Sequence, residues 1–306
     1  MQMAMPLKVY LVPPDAPLTS EPLGTKPKFW FLRDGRRWLY KMTRPGSGEH
    51  WAEVLASLLA DKLGLPHADY ELAQWRDSSG VVTPRFTADG ADLVHGNELL
   101  AERDPGYERA GARYVRTRLH TIDAVRTVLN SPDVQLPFGW TAIPGIDRAV
   151  DVFAGYLLLD TWIGNPDRHH ENWALIYRRA DAVRALAPTF DHASSLGAHE
   201  TDTVRSDRLR SPDPGYGMEG YVRRAKARSA LYRVPTDARP LSMMEAFDVW
   251  AEGGAGRPWV DRLAAITPAT IGGLVAELPA DHVSGPARDF AAAMLEVNRR
   301  RILSER

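Results

Sequence analysis

The sequence predicts an α+β fold with two lobes: a small, β-rich N-terminal lobe with one main helix, and a larger, mostly helical C-terminal lobe. Up to about residue 90, short apolar segments alternate with turn residues, which is typical of strands joined by hairpins. Beyond that point, apolar residues recur mainly at helical spacing. We therefore divide the chain into an N-lobe at residues 1–90 and a C-lobe at residues 91–306.

The predicted N-lobe is built around one hairpin and one helix. Asp34-Gly35 lies between the predicted strands Phe29–Arg33 and Arg37–Met42, and an Asp-Gly pair between apolar runs is a strong hairpin signal. Trp51–Leu63 has apolar residues at helical spacing and is followed by Gly64, a residue suited to the left-handed position after a helix. The sequence thus places a strand pair directly before the lobe's main helix.

The remaining elements follow in order along the chain. Strands are predicted at Tyr70–Arg76 and Val81–Phe86, joined by a turn at Asp77–Gly80. Thr87–Asn97 is polar and is predicted to connect the two lobes. The C-lobe is predicted to contain the helices Thr121–Leu129, Asp147–Trp162, Met243–Ala251, Trp259–Ile266, Thr270–Glu277 and Pro286–Leu303, and the strands Trp173–Tyr177 and Val183–Leu186.

One polar segment of the C-lobe carries the strongest functional signal. Asp167 and Asn172 are five residues apart, and Asp191 follows at the end of a second short apolar run. Phosphoryl transfer by a kinase requires an Asp that orients and deprotonates the attacking hydroxyl, an Asn that holds Mg²⁺ and a later Asp that holds the metals bridging the phosphates. The order predicts a kinase with Asp167 as its catalytic base. The neighbouring pair His169-His170 matches no familiar zinc spacing.

Lys41 is the candidate phosphate-binding lysine of the N-lobe. It ends a strand with apolar neighbours, and a buried ammonium without a partner is costly. An ATP phosphate and a helix carboxylate would satisfy it, with Glu53 as the first candidate and Glu49 as its rival. The alternative is that Lys41 extends to solvent.

A second phosphate-binding element is predicted just before the hairpin. The segment Gly24-Thr25-Lys26-Pro27-Lys28 occupies the position of a phosphate-covering loop, although it matches no complete glycine-rich motif. Gly24 allows close backbone approach, and Lys28 is favoured over Lys26 as the charged contact because it enters the strand.

The adenine is expected at a hinge formed by residues 82–86. Because Pro84 has no N–H, either Arg85 or Phe86 must donate the backbone hydrogen bond. In the polar segment, Arg168 and His169 either help to position phosphate or stabilise the loop by internal hydrogen bonds.

At these residues the chain resembles the HipA-like kinase family, which has a protein-kinase-like fold and a catalytic loop like that of phosphatidylinositol kinases. The resemblance extends over about Leu23–Gly197. It is carried by these segments: Gly24-Thr25-Lys26-Pro27-Lys28, Glu53 with Leu59-Ala60, Gly64-Leu65-Pro66, Arg85-Phe86, Ile163-Gly164-Asn165-x-Asp167-x-His169-x-x-Asn172 and Asp191-His192-Ala193-Ser194.

The resemblance implies an ATP- and Mg²⁺-dependent protein serine/threonine kinase. It implies Asp167 as the catalytic Asp, Asn172 and Asp191 as Mg²⁺ ligands, and Lys41 as the lysine on the ATP phosphates. Its members include toxins of toxin–antitoxin systems, so a protein substrate such as a translation factor or an aminoacyl-tRNA synthetase, and an antitoxin partner, are further expectations. The alternatives are a small-molecule phosphotransferase of the same fold and an inactive nucleotide-sensing module.

Composition limits the other classes. The chain has no cysteine, which excludes disulfides and thiolate chemistry and fits a cytoplasmic protein. The longest apolar candidate, Val150–Ile163, is too short for a membrane span and is interrupted by Asp151 and Asp160. A formal net charge of -1 argues against a surface that coats nucleic acid. One basic cluster is a candidate substrate contact or a solvated helix face: Arg223, Arg224, Lys226, Arg228 and Arg233.

Overall fold

The computed structural model describes residues 6–20, 27–104, 106–107, 117–224 and 229–304. In these residues the strands are β1 (Tyr10–Val12), β2 (Thr19–Ser20), β3 (Lys28–Arg33), β4 (Arg36–Met42), β5 (Glu71–Trp75), β6 (Ser78–Pro84), β7 (Ala91–His95), β8 (Val134–Gln135), β9 (Ala174–Arg178) and β10 (Val183–Leu186). The helices are α1 (Glu49–Leu63), α2 (Gly96–Arg103), α3 (Ile122–Leu129), α4 (Ala149–Ile163), α5 (Asp202–Arg210), α6 (Met218–Arg224), α7 (Met243–Ala251), α8 (Arg257–Ala265), α9 (Pro268–Ala276) and α10 (Gly285–Ser304). None of the helices in this described part is long and apolar enough to cross a membrane.

The first sheet contains six strands in the order β1-β5-β6-β4-β3-β2. Its central hairpin, β3–β4, turns at Asp34 and Gly35, whose φ angles of 52° and 73° are the positive values that a two-residue hairpin turn requires. The predicted hairpin is therefore confirmed. One face of the sheet buries a cluster that combines aromatic and aliphatic side chains: Val12, Phe29, Phe31, Tyr40, Ala73 and Val82.

Helix α1 covers the other side of this sheet and packs into the main core. It ends at Gly64, whose φ of 71° is left-handed, so the predicted helix end is confirmed. Its buried Leu55 and Leu59 belong to the same core cluster as Phe153 of α4. Every residue of α4 is buried, as expected for a helix that is apolar on all sides.

The turn predicted at Asp77–Gly80 is misplaced, because backbone pairing over a longer distance overrides the local signal. Gly80 lies inside β6, paired with Met42, and the turn is formed instead at Arg76, which has a positive φ of 53°. A Cβ at position 80 would meet the Tyr40 ring and the Lys41 carbonyl, so this glycine serves close packing. Thr87–Asn97 contains β7 and the start of α2, and its role as the connection between the lobes stays a prediction.

The second sheet has the order β7-β9-β10-β8, so the C-lobe has a four-stranded sheet beside its helices. Strand β7 pairs with β9 through the register from Ala91 to Arg178. The first sheet ends with Pro84 and the second begins with Ala91. The division at residue 90 stays a prediction.

The C-lobe helices that were predicted are present within a few residues of the expected limits. Helix α5 was not predicted, because its composition is polar and Arg-rich. Arg205 of α5 is buried, and its guanidinium donates to the Gly197 carbonyl at 3.0 Å, which attaches this helix to the segment after Asp191.

Candidate active site

Lys41 of β4 is buried and lies between two carboxylates. Its Nζ is 3.3 Å from Glu53 Oε2 and 2.8 Å from Asp191 Oδ1. Burial alone would lower the pKa of Lys41, but the charges of Asp191 and Glu53 outweigh it and raise that pKa well above its usual value. Lys41 is therefore a permanent cation that joins the first sheet, α1 and the segment after β10.

Of the two candidate glutamates, Glu53 pairs with Lys41. Its second oxygen, Oε1, accepts a hydrogen bond from the His192 N–H at 2.7 Å, so one buried carboxylate holds both the lysine and the loop that carries Asp191. Glu49 instead accepts from the backbone N–H of Arg44 at 3.0 Å and pairs with its guanidinium at 3.1 Å. That contact fastens the loop before α1.

Lys28 lies directly opposite Lys41 in the β3–β4 register. Side chains of directly opposite residues in an antiparallel pair lie on the same face of the sheet, so the two lysines share that face. Two cations side by side suit an anionic ligand such as a phosphate chain. The predicted contacts Gly24 and Thr25 lie outside the described residues.

Asp167 and Asn172 are linked by a hydrogen bond across the short loop that follows α4. The helix ends at Gly164, with a left-handed φ of 64°. Asn165 Oδ1 accepts from the Asp167 N–H at 3.2 Å, and Asn172 Nδ2 donates to the Asp167 carbonyl at 2.7 Å. The Asp167 side chain is 34% exposed, so its carboxylate is accessible to an acceptor hydroxyl.

Arg168 stabilises the loops and is too deeply buried to contact phosphate, with only 1% of its side chain exposed. Its Nε and Nη2 donate to the two oxygens of Asp160, each at 2.7 Å. Its Nη1 donates to the Asn172 carbonyl at 2.7 Å, and Nη2 also donates to Thr189 Oγ1 at 3.0 Å. Of the two alternatives for Arg168, loop stabilisation is correct.

His169 remains near the candidate base. Its Nε2 is 3.9 Å from Asp167 Oδ1, and its Nδ1 accepts from the Glu171 N–H at 3.2 Å. Because Nδ1 accepts a hydrogen bond, the proton of the neutral ring is on Nε2. This N–H faces the Asp167 carboxylate.

Two further histidines are buried beneath the loop in the neutral form. His120 Nε2 accepts from Trp173 Nε1 at 3.1 Å, so its Nδ1 carries the proton and donates to the Ala230 carbonyl at 2.9 Å. Burial lowers the pKa of His120 to about 3. The hydroxyl of Tyr107 lies 2.7 Å from His170 Nδ1, and burial lowers the pKa of His170 to about 4.

Asn172 and Asp191 fit a divalent cation by their chemistry. Because Asn172 Nδ2 is bonded to the Asp167 carbonyl, the amide oxygen is the atom left for a metal. Within the described ranges, no three or more His, Asp or Glu residues are grouped to hold a metal ion. The candidate site offers only one Asp and one Asn, which is fewer protein ligands than such a group would supply. This suits Mg²⁺, because Mg²⁺ is usually bound through one or two carboxylates together with substrate phosphates.

Backbone pairing reduces the two candidate hydrogen-bond donors of the predicted hinge, Arg85 and Phe86, to one. The Arg85 N–H donates to the Arg37 carbonyl at 2.8 Å, which leaves Phe86 as the candidate donor to an adenine. The Phe86 ring stacks near that of Phe190, with centroids 6.0 Å apart. The Arg85 side chain bonds Thr87 Oγ1 at 2.8 Å.

Sequence reasoning missed two groups of this site. Asp160 was treated only as an interruption of an apolar run, although a lone carboxylate in such a run signals a buried partner. Ser194 was named only as part of the segment that resembles the family, with no role of its own, and its Oγ donates to Asp167 Oδ2 at 3.4 Å. In the basic cluster, Arg223 and Arg233 are exposed, whereas the Arg224 side chain and residues 225–228 lie outside the described part.

Comparison with known proteins identifies a family match and similar folds. The family model for the HipA-like C-terminal domain matches residues 21–239. None of the curated proteins matches the chain. The Helicobacter pylori proinflammatory kinase CtkA is similar at 18% identity, over 91% of this chain and 94% of that chain, with a TM-score of 0.68. HipA of Shewanella oneidensis MR-1, solved with HipB and operator DNA, is similar at 14% identity, over 94% of this chain and 65% of that chain, with a TM-score of 0.49. The likeness to CtkA confirms the two-lobed, kinase-like fold.

Proposed function

Because the chain belongs to the HipA-like family through its C-terminal-domain match, we propose that it is an ATP- and Mg²⁺-dependent protein serine/threonine kinase. The observation that carries this proposal is the linkage of five groups by direct contacts. Lys41 contacts Glu53 and Asp191, and Asp167 contacts Asn172. Arg168 joins the two loops, since it bonds both the Asn172 carbonyl and, at 3.3 Å, His192 Nε2 beside Asp191.

The proposed reaction follows from the character of these groups. The acceptor hydroxyl oxygen attacks the γ-phosphorus of ATP, the bond from that phosphorus to the bridging oxygen breaks, and ADP leaves. Asp167 accepts the hydroxyl proton, while Lys41 and Lys28 neutralise the phosphates. When bound, Mg²⁺ would neutralise phosphate charge, and Asn172 and Asp191 would hold it.

For the substrate and the partner, the proposal names only a class of molecule. We propose a protein with a serine or threonine hydroxyl, a translation factor or an aminoacyl-tRNA synthetase being the class that the family membership supports. An antitoxin partner and a cytoplasmic location belong to the same proposal. Direct binding of nucleic acid is not part of it, because the net charge is -1.

The test measures transfer of labelled γ-phosphate from Mg-ATP to proteins of a bacterial lysate. Asp167→Asn should lower transfer by at least about a hundredfold, the usual contribution of a general base, while ATP binding by calorimetry is retained. Asp191→Asn should lose both phosphate transfer and ATP binding. Asp181→Asn is the matched control, because Asp181 is a partly exposed carboxylate whose charge is already paired with Arg178.

Two results would count against the proposal. Normal transfer by Asp167→Asn would remove its role as the base. Labelling only of small metabolites or antibiotics, with no labelled protein band, would support the small-molecule phosphotransferase instead.

A further inference from the structure

The carboxylate of Asp167 is flanked on both oxygens. Ser194 Oγ donates to Oδ2 at 3.4 Å, and His169 Nε2 lies 3.9 Å from Oδ1. The serine contact is longer than the about 3.0 Å that usually limits a hydroxyl donor. Catalytic hydrogen bonds are often long in this way before a bound substrate tightens the site. Neighbours on opposite oxygens restrict rotation of the carboxylate about its last torsion.

The backbone that carries Ser194 is anchored on both sides. The Ser195 N–H donates to the His192 carbonyl at 3.1 Å, and the Leu196 N–H donates to the Ile163 carbonyl at the end of α4 at 2.9 Å. His192 is held in turn by Glu53. Ser194 is therefore presented to Asp167 by a segment fixed to both the metal loop and α4.

We propose that Ser194 is a positioning residue for the catalytic Asp167, an inference that rests on the proposed kinase function. During transfer the acceptor oxygen bonds to the γ-phosphorus, its proton moves to the Asp167 carboxylate, and ADP leaves with the electrons of the broken bond. Ser194 takes no part in bond making. By donating to Oδ2, it holds the carboxylate plane so that the acceptor hydroxyl meets a correctly oriented lone pair.

This role also connects the base to the metal loop. Ser194 is three residues after Asp191, in a loop that Glu53 and Arg168 hold through His192. Any shift of the Asp191 loop therefore displaces the donor that orients Asp167. The arrangement makes a correctly placed metal loop a condition for a correctly oriented base.

The test compares Ser194→Ala, Ser194→Thr and Ser195→Ala in the full chain. Ser195 is the matched control: it is the adjacent serine, fully buried, and within the described part of the chain its Oγ has no hydrogen-bond partner. The measurements are kcat and KM for labelled phosphate transfer, the Kd for Mg-ATP by calorimetry, and phosphosite mapping by mass spectrometry.

We expect Ser194→Ala to lower kcat about tenfold, the size expected for loss of one hydrogen bond to a charged group, with the Kd for Mg-ATP unchanged. Ser194→Thr keeps a hydroxyl and should restore most of kcat, and Ser195→Ala should match the wild type. A wild-type kcat in Ser194→Ala would overturn the inference, as would a Ser194→Thr no faster than Ser194→Ala.

Two other outcomes are equally decisive. Phosphate found on Ser194 of the wild type would make this hydroxyl an acceptor rather than a positioning group. If the wild type transfers no phosphate at all, the proposed function fails and the role of Ser194 fails with it; an active wild type with an unaffected Ser194→Ala removes only the latter.

Discussion

Replacing Arg168 by methionine should lower the free energy of unfolding by about 3–5 kcal/mol, because a buried carboxylate would lose its cation. The Asp160 side chain is 2% exposed, and both of its oxygens accept from the guanidinium at 2.7 Å. Asn165 Nδ2 also donates to Asp160, at 2.8 Å, but a neutral amide cannot balance the charge. The same substitution removes donors from the Asn172 carbonyl and Thr189.

The assay is equilibrium denaturation in urea followed by tryptophan fluorescence, with the slope of the transition compared between variants. Arg178→Met is the matched control. Arg178 also forms a close ion pair, with its Nη2 2.6 Å from Asp181 Oδ2, but the two side chains are 41% and 45% exposed. Exposed pairs of this kind contribute little, so no measurable change is expected.

A double-mutant cycle separates the pair from the rest of the loop. Asp160→Leu combined with Arg168→Met removes both charges, so the double variant should lose less stability than the two single variants added together. A loss below about 1 kcal/mol for Arg168→Met, or additive single effects, would refute the reasoning that a buried charge pair holds these loops.

Two further predictions concern charge. Lys41→Met should weaken Mg-ATP binding in calorimetry and lower the unfolding free energy by about 3 kcal/mol, since Glu53 is left buried with less positive charge beside it; unchanged ATP binding would remove Lys41 from the phosphate site. The depressed pKa values of His120, about 3, and His170, about 4, mean that the unfolded chain binds more protons as the pH falls below 6.5. Stability should therefore fall from pH 6.5 toward 4, by up to about 1.4 kcal/mol per pH unit for each histidine. A melting temperature that stays constant over this pH range would contradict the predicted loss of stability. The control is His199→Gln, because His199 is exposed and its replacement should leave the pH dependence unchanged.

The features that the sequence predicted correctly depend on neighbours along the chain. The hairpin turn at Asp34-Gly35 follows from the positive φ angles that this pair tolerates, and the end of α1 from the same property of Gly64. The proximity of Asp167 and Asn172 follows in the same way from their places in one short loop, while their roles stay predictions.

The features that it missed depend on distant partners. Strand β7 is defined by β9, and Ala91 pairs with Arg178 far along the chain. Helix α5 is polar, and its attachment comes from buried Arg205, which donates to the Gly197 carbonyl. Gly80 resembled a turn residue because the Tyr40 ring that excludes a Cβ there belongs to another strand. Local patterns contain none of these contacts.

Asp160 explains why the candidate base and the candidate metal ligands are stable together. A carboxylate inside a fully buried helix is tolerated only with a cation, and Arg168 reaches it from eight residues further along the chain. The same guanidinium bonds the Asn172 carbonyl and Thr189, so it closes both loops around one charge pair. Lys41 then joins the second loop to the first sheet through Asp191. Because these contacts form one chain from α4 to β4, disturbing Asp160 should affect nucleotide binding, although within the part of the protein that the structure describes Asp160 touches none of the candidate nucleotide-binding groups directly.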